Sequence, residues 1–255
     1  MTVTPYRLIF NGEVPRKLTH RNVVGRNRDI DDQTPSGYYY IGGDEDVWAG
    51  GGSYTGWLTA AASVEAISSS TNDNVAGTGA RTLTVTGLDA NWAIQSETVN
   101  LNGVNAVALA NTYIRVLEAK VATVGGRGIT DGNITVRVAS GGATLAYIVA
   151  GENNSLQAVY SVPADYEGSV VNFHARLLHA TDVKANVILY ERPYGAAKLV
   201  KHVLALESGG ERAAEQTFGV PISVAAKTDL WVSAEVAGDN ADIEAGFDLL
   251  MYPLT

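Results

Sequence analysis

Cysteine is absent from this chain of 255 residues, so no disulfide framework, thiolate zinc site or cysteine nucleophile is available to it. Long hydrophobic runs are also missing, since the apolar stretches fall far short of the roughly 20 residues that a transmembrane helix needs. No signal-peptide pattern follows Met1. Composition therefore predicts a soluble, glycine-rich globular protein with no membrane partner.

Basic residues are scarce and unevenly placed. The 18 basic residues face 27 acidic ones, and a net charge of −9 argues against nucleic acid as a partner, which would require a basic face. Residues 1–30 nevertheless carry a net charge of +4, against −13 for the rest of the chain. This asymmetry indicates either a basic arm on an acidic body or a solvated N-terminal tail.

Residues 1–55 show no sustained periodicity and contain turn signals such as Asn11-Gly12 and Gly50-Gly51-Gly52. They also carry large apolar side chains, which disordered linkers avoid. These are Tyr38, Tyr39, Tyr40, Trp48 and Tyr54, and Trp57 follows just after the segment. We interpret residues 1–55 as an extended N-terminal arm that becomes ordered against a partner.

From about residue 60 onward, short runs with period-2 alternation recur between Gly, Asn, Asp and Pro. Candidate strands fall at residues 81–86, 97–101, 113–124, 134–139, 144–149, 157–162, 169–178, 184–192, 199–206, 216–224, 229–236 and 243–252. Asn102-Gly103 predicts a hairpin, and residues 58–67 and 104–117 hold enough alanine for a short helix. The pattern predicts an all-β sandwich or barrel over residues 56–255, with an internal boundary considered at residues 150–155.

Catalytic and metal-binding motifs are not recognisable. The four histidines, at positions 20, 174, 179 and 202, are too scattered for a metal pattern. Two carboxylate trios could bind calcium through hard oxygens, although neither matches an EF-hand loop and solvated acidic loops are the favoured interpretation. They are Asp29, Asp31 and Asp32, and Asp239, Asp242 and Glu244. We therefore predict a non-enzyme with no catalytic residue, metal or cofactor.

Several segments resemble structural proteins in the virions of tailed bacteriophages. The likeness covers most of residues 25–255 and lies in the runs 25–31, 45–48, 50–55, 70–85, 87–92, 101–103, 151–158 and 200–206. One role that this resemblance implies is a capsid decoration or cement protein, often a trimer, with a compact β-sandwich and an extended arm. The implied fold is thus an all-β, jelly-roll-like β-sandwich with an extended N-terminal arm.

Under the cement interpretation, we expect the chain to lie on the capsid surface of a virion and to bind the major capsid protein and other copies of itself as a homotrimer. The expected binding residues combine basic and aromatic side chains of the arm with the adjacent Trp57: Arg26, Arg28, Tyr38, Tyr39, Tyr40, Trp48, Tyr54 and Trp57. The alternative is a tail, neck or fibre protein that binds a host receptor or glycan, with Asn91-Trp92 and residues 190–194 as a sugar platform. A glycan-degrading enzyme is a third, less favoured reading, because no local motif supplies its carboxylates.

Overall fold

The computed structural model describes residues 18–32, 43–179 and 181–254. Sixteen strands make up the regular secondary structure of these residues. In the same part of the chain, no helix has the length and apolar character needed to cross a membrane. Residues 58–67 and 104–117, for which a short helix was considered, contribute to strands instead.

Nine strands form two facing antiparallel sheets, which we call sheet I and sheet II. Sheet I has the order β1 (Thr19–Ile30), β16 (Ala241–Pro253), β11 (Tyr166–His179) and β14 (Ala213–Val224). Sheet II has the order β10 (Val159–Ser161), β15 (Thr228–Ala237), β12 (Lys184–Pro193) and β13 (Leu199–Glu207), and β2 (Glu45–Asp46) also pairs with β15. The two sheets enclose the larger hydrophobic core, in which Phe173 and Phe247 are fully buried.

The strand order identifies the topology. Because β10 and β2 pair with successive stretches of β15, they act as two pieces of one strand. Counting them as the second of eight strands gives the orders 1-8-3-6 and 2-7-4-5 for the two sheets. That alternation between sheets is the jelly roll. The prediction of an all-β, jelly-roll-like sandwich is confirmed.

A second sandwich is inserted between the two pieces of that strand. Its strands are β3 (Ala62–Ser68), β4 (Ala80–Leu88), β5 (Ile94–Asn100), β6 (Val107–Tyr113), β7 (Arg115–Val124), β8 (Ile134–Val138) and β9 (Thr144–Ile148). They form the sheets β6-β3-β8-β9 and β5-β4-β7 around a separate core. The chain leaves and returns side by side, since Trp48 and Gln157 form an antiparallel bridge.

β1 brings part of the predicted arm into sheet I as an edge strand. Its side chains alternate, and Val23, Gly25, Asn27 and Ile30 face inward. Gly25 is required here because a Cβ atom would lie 2.1 Å from the backbone oxygen of Val47. The close approach seats β1 against the segment that follows β2.

The hairpin predicted at Asn102-Gly103 is wrong. β5 and β6 flank this turn but belong to different sheets of the inserted sandwich. Gly103 does have the positive φ that the sequence suggested, at 60°. However, its amide donates to the carbonyl of Asp73 at 2.7 Å, so the turn is held by the neighbouring loop rather than by a two-residue hairpin.

Candidate partner-binding surface

The two arginines predicted to bind a partner lie on β1 and pair with acidic residues of this chain. Arg26 makes a bidentate contact with Asp242, with its Nε 2.9 Å from Oδ1 and a terminal nitrogen 2.5 Å from Oδ2. This hydrogen-bonded pairing raises the pKa of Arg26 above its ordinary value. Arg28 contacts Glu152, which lies where the chain returns from the inserted sandwich.

The described aromatic residues of the predicted set are brought together in one cluster. Ring centroids lie 5.2 Å apart for Trp48 and Tyr54, 5.0 Å for Tyr54 and Trp57, and 5.1 Å for Trp57 and Trp231. Tyr190 stacks on Trp231 at 5.2 Å. Trp48 and Tyr54 are buried and Trp57 is half-buried, so the cluster covers the outer face of sheet II.

The remaining predicted residues, Tyr38, Tyr39 and Tyr40, lie outside the described residues. Tyr54 has a second role, because its hydroxyl donates to the carbonyl of Leu145 in β9 at 2.9 Å. Burial raises the pKa of Tyr54 well above its ordinary value. The hydroxyl therefore stays neutral and links the cluster to the inserted sandwich.

A buried ion pair joins the two sandwiches beside this cluster. Arg115 of β7 binds Asp229 of β15 through two hydrogen bonds of 2.8 and 2.9 Å, and the side chains are only 3% and 1% exposed. The Arg115 guanidinium lies 5.5 Å from the ring centroid of Trp57 and 4.9 Å from that of Trp92. Arg192 adds a hydrogen bond of 3.1 Å to the same carboxylate. Planar guanidinium groups suit such bidentate and stacked contacts.

Asp46 anchors the loop that carries the cluster. Its carboxylate accepts hydrogen bonds from the Ser233 hydroxyl and from the Tyr54 amide, both at 2.6 Å. Burial raises the pKa of Asp46 to about 6, and the two hydrogen bonds oppose that shift.

The acidic trios considered for calcium meet at one corner of the jelly roll. The amide of Asn240 donates to Asp29 at 2.9 Å and to Asp31 at 3.2 Å. Asp242 is already paired with Arg26. Within the described ranges, no three His, Cys, Asp or Glu side chains converge closely enough to hold a metal ion. The corner is organised by amide and arginine contacts.

The sugar platform considered for the alternative function is largely internal. Of its aromatic residues, Trp92 and Tyr190 are buried and Tyr194 is exposed. The ring of Tyr194 lies 5.1 Å from that of Trp92, and its hydroxyl donates to the carbonyl of Thr59 at 2.7 Å. These aromatic residues hold the β12–β13 turn to the inserted sandwich.

Among the residues that the structure describes, several exposed apolar side chains lie close together on β13, the last strand of sheet II. The register places Val200 beside Tyr190 and Val203 beside Ile188, so both valines lie on the outer face that the aromatic cluster covers elsewhere. Val200 is 57% exposed, although Tyr190 and Ile188 on the neighbouring strand β12 are buried. We call Val200, Val203 and Ala205, which share this outer face, the β13 stripe. An exposed apolar stripe on an open edge strand is typical of a protein-binding surface.

The adjacent edge of sheet I adds another exposed apolar residue. In β14, residues 218–221 bulge between the positions that pair with Val170 and Asn172 of β11. Phe218 turns toward the core and its ring lies 5.3 Å from that of His202, whereas Val220 is 86% exposed. Both sheets therefore end in open edges at the β13–β14 side of the jelly roll.

Sequence reasoning located β13 as a strand but missed its surface. The signal was present, because Leu199, Val200 and Val203 interrupt the strict alternation of a half-buried strand. Apolar residues on both faces of a strand are typical of a strand buried inside a protein, so the sequence pattern alone does not indicate an exposed edge. Only the topology shows that β13 is an edge.

No protein-family model matches the chain, and no curated protein matches its sequence. Solved structures with weak similarity include that of the infectious bursal disease virus Gx strain, at 10% identity and a TM-score of 0.25, covering 92% of this chain and 71% of that chain. The VP2 subviral particle of infectious bursal disease virus is similar at 10% identity and a TM-score of 0.24, covering 96% and 74% of the two chains. The jelly roll of this chain follows from its own strand order.

Proposed function

We propose that this chain is a non-enzymatic structural protein of a tailed-phage virion. It decorates the capsid surface as a cement protein and docks on the major capsid protein through the β13 stripe. The observation that carries the proposal is the exposed apolar stripe at the open edge of a jelly roll. The sequence resemblance to phage virion proteins supports the virion as its location, and jelly rolls are recurrent in viral shells.

The stripe offers two kinds of contact to a capsid protein. Its side chains can be buried, which contributes about 1.5–3 kcal/mol for each fully covered Val. In addition, β12 is the one strand among the described residues that pairs with β13, so the other edge of β13 can accept a strand of the partner. Such pairing supplies main-chain hydrogen bonds, and the valines then determine register.

The junction between the sandwiches supports a clamping role. The Arg115–Asp229 pair and the aromatic cluster fix the inserted sandwich against the jelly roll. A cement protein must hold neighbouring capsomers at a constant spacing, and a rigid body of two sandwiches meets that need. We also propose that the chain forms the homotrimer expected from the resemblance. Sedimentation equilibrium of the isolated chain, which measures its mass in solution, tests this.

The experiment is a binding assay on capsids that lack this protein. Val200→Asp places a charge in the stripe, and Val75→Asp is the matched control because Val75 is 55% exposed on the inserted sandwich. We expect Val200→Asp to weaken co-sedimentation with capsids at least tenfold, equivalent to about 1.4 kcal/mol, and Val75→Asp to bind normally. Equal binding by both variants, with thermal stability unchanged, would contradict the proposed surface.

A further inference from the structure

β14 carries a bulge at one edge of sheet I. Residues 218–221 of this strand lie opposite the single residue Val171 of β11. Bulges at sheet edges are built features that interrupt strand pairing, and Pro221 removes one more donor from the ladder. β14 is therefore a poor template for a partner strand, and its bulge presents a side chain instead.

The side chain that the bulge presents is Val220. It is 86% exposed, the highest value among the large apolar residues that the structure describes. The base of the bulge is fixed, because Phe218 packs on the core of the jelly roll with its ring 5.3 Å from that of His202. Residues 216–226 carry no charge. A partner that covers Val220 therefore removes apolar surface from water without burying a charge of the bulge.

A cleft of about 260 Å³ lies at the opposite edge of sheet I, between β1 and the inserted sandwich. This volume is slightly below the range of roughly 300–1,000 Å³ usual for small-molecule sites, so the cleft suits one or two side chains. Arg21 and Glu118 contribute one charge of each sign, which leaves the lining without a net charge. Four apolar lining residues are half-buried or exposed and thus open to a partner: Val24, Ile94, Leu117 and Leu156.

The bulge and the cleft lie at the same level of sheet I. Leu249 of β16 pairs on one side with Val170, next to the bulge, and on the other with Arg21, which lines the cleft. A rotation about an axis parallel to the strands therefore brings the bulge of one copy to the cleft of the next without a shift along that axis. Head-to-tail contacts of this kind close into a ring.

From these observations, we propose that copies of this chain associate head to tail, with Val220 of one copy inserted into the cleft of the next. The contact rests on the homotrimer proposed for the chain and names its interface, since three such contacts make a closed ring. The β13 stripe lies on the outer face of sheet II and takes no part in the contact, so it stays available to the capsid.

Sedimentation equilibrium of the full chain over a range of concentrations tests the contact. Val220→Asp places a charge on the bulge, and Ile94→Asp places one in the cleft. Each change should raise the concentration needed for half of the chain to be trimeric at least tenfold. Val75→Asp and Ile129→Asp are the controls, because these side chains are 55% and 41% exposed, close to the 40% of Ile94, and lie outside the cleft. Both controls should form trimers as the wild type does.

A mixture of the two interface variants tests the head-to-tail geometry. The Val220→Asp copy keeps an intact cleft and the Ile94→Asp copy keeps an intact bulge, so one contact can form but the ring cannot close. We expect a heterodimer with one copy of each variant, at concentrations where either variant alone is monomeric. A mixture that remains monomeric would overturn the head-to-tail contact.

The outcomes separate this contact from the trimer itself. A trimer that Val220→Asp leaves intact would overturn the contact while the homotrimer stands, and this variant decides the matter even if Ile94→Asp lowers the stability of β5. A wild-type chain that is monomeric at every concentration would overturn both. The capsid-binding surface is tested separately by Val200→Asp.

Discussion

Replacement of Arg115 by methionine should strongly destabilise the chain, because Arg115 of β7 forms a buried ion pair with Asp229 of the jelly roll. Its guanidinium donates two hydrogen bonds to Asp229 and further bonds of 2.7 Å to the carbonyls of Leu58 and Ile114. Methionine preserves much of the volume but removes every donor. The change leaves a carboxylate that is 1% exposed without its main partner.

The magnitude follows from what remains at Asp229. Breaking a buried ion pair from one side costs about 3–5 kcal/mol. The carboxylate keeps its contacts with the Ser161 hydroxyl at 2.6 Å and with Arg192 at 3.1 Å, which favours the lower end of that range. We therefore expect Arg115→Met to lower the free energy of unfolding by about 3 kcal/mol.

Urea unfolding followed by circular dichroism measures this loss, and tryptophan fluorescence reports on Trp57 and Trp92 beside the guanidinium. Arg137→Met is the control, because Arg137 pairs with Glu65 at 2.8 Å with side chains that are 30% and 14% exposed. That variant should lose at most about 1 kcal/mol. Equal losses in the two arginine variants would refute the role assigned to the buried pair.

A double variant separates stranded charge from lost packing. Asp229→Asn in the Arg115→Met background removes the isolated carboxylate while keeping its shape. If the charge dominates, the double variant should be more stable than Arg115→Met alone by about 1–2 kcal/mol. A further loss of stability would show that packing and hydrogen bonding outweigh the charge.

Three other changes test local features of the junction. Asp46→Asn mimics the protonated carboxyl group of Asp46. Because the folded-state pKa of Asp46 is raised to about 6, the unfolding free energy of the wild type should fall by up to about 3 kcal/mol relative to that of this variant as the pH rises from 4 to 7. A difference in stability that does not change with pH would contradict this. Gly25→Ala should cost about 3 kcal/mol or more in urea unfolding, since its Cβ would meet the Val47 oxygen at 2.1 Å, whereas Gly219→Ala, in open space, should not reproduce that loss. Tyr54→Phe strands a buried carbonyl of β9 and should lower the unfolding free energy by about 1–3 kcal/mol, and wild-type stability would argue against that link.

The strands of the body could be predicted because each contains its own alternation of apolar and polar residues. Residues 229–236 and 243–252, for example, fall within β15 and β16. The sequence pattern did not predict β1 as a strand, because its inward positions include Gly25 and Asn27, which are not apolar residues. Gly25 is fixed by a close backbone approach and Asn27 by a side-chain hydrogen bond to the Asp46 carbonyl at 3.2 Å. Both reasons depend on residues distant in sequence.

The candidate surfaces were less predictable than the strands. Trp48 and Tyr54 were expected to bind a partner because they lie in an aperiodic segment, where the sequence pattern does not show which part of the chain could bury their rings. In the structure they pack on the outer face of sheet II, and this face forms only when β12 and β15 pair. The β13 stripe likewise becomes a surface only because β13 ends its sheet. Topology, rather than local pattern, decides which apolar residues remain exposed.

The most direct test of the cement proposal is the number of copies in each virion. Quantitative mass spectrometry of purified particles gives the ratio of this chain to the major capsid protein. A capsid-covering cement protein requires a ratio near one or a simple large fraction of it. A few copies to a few dozen per particle would contradict capsid decoration and favour the neck, tail or fibre, and complete absence from particles would contradict a virion role altogether.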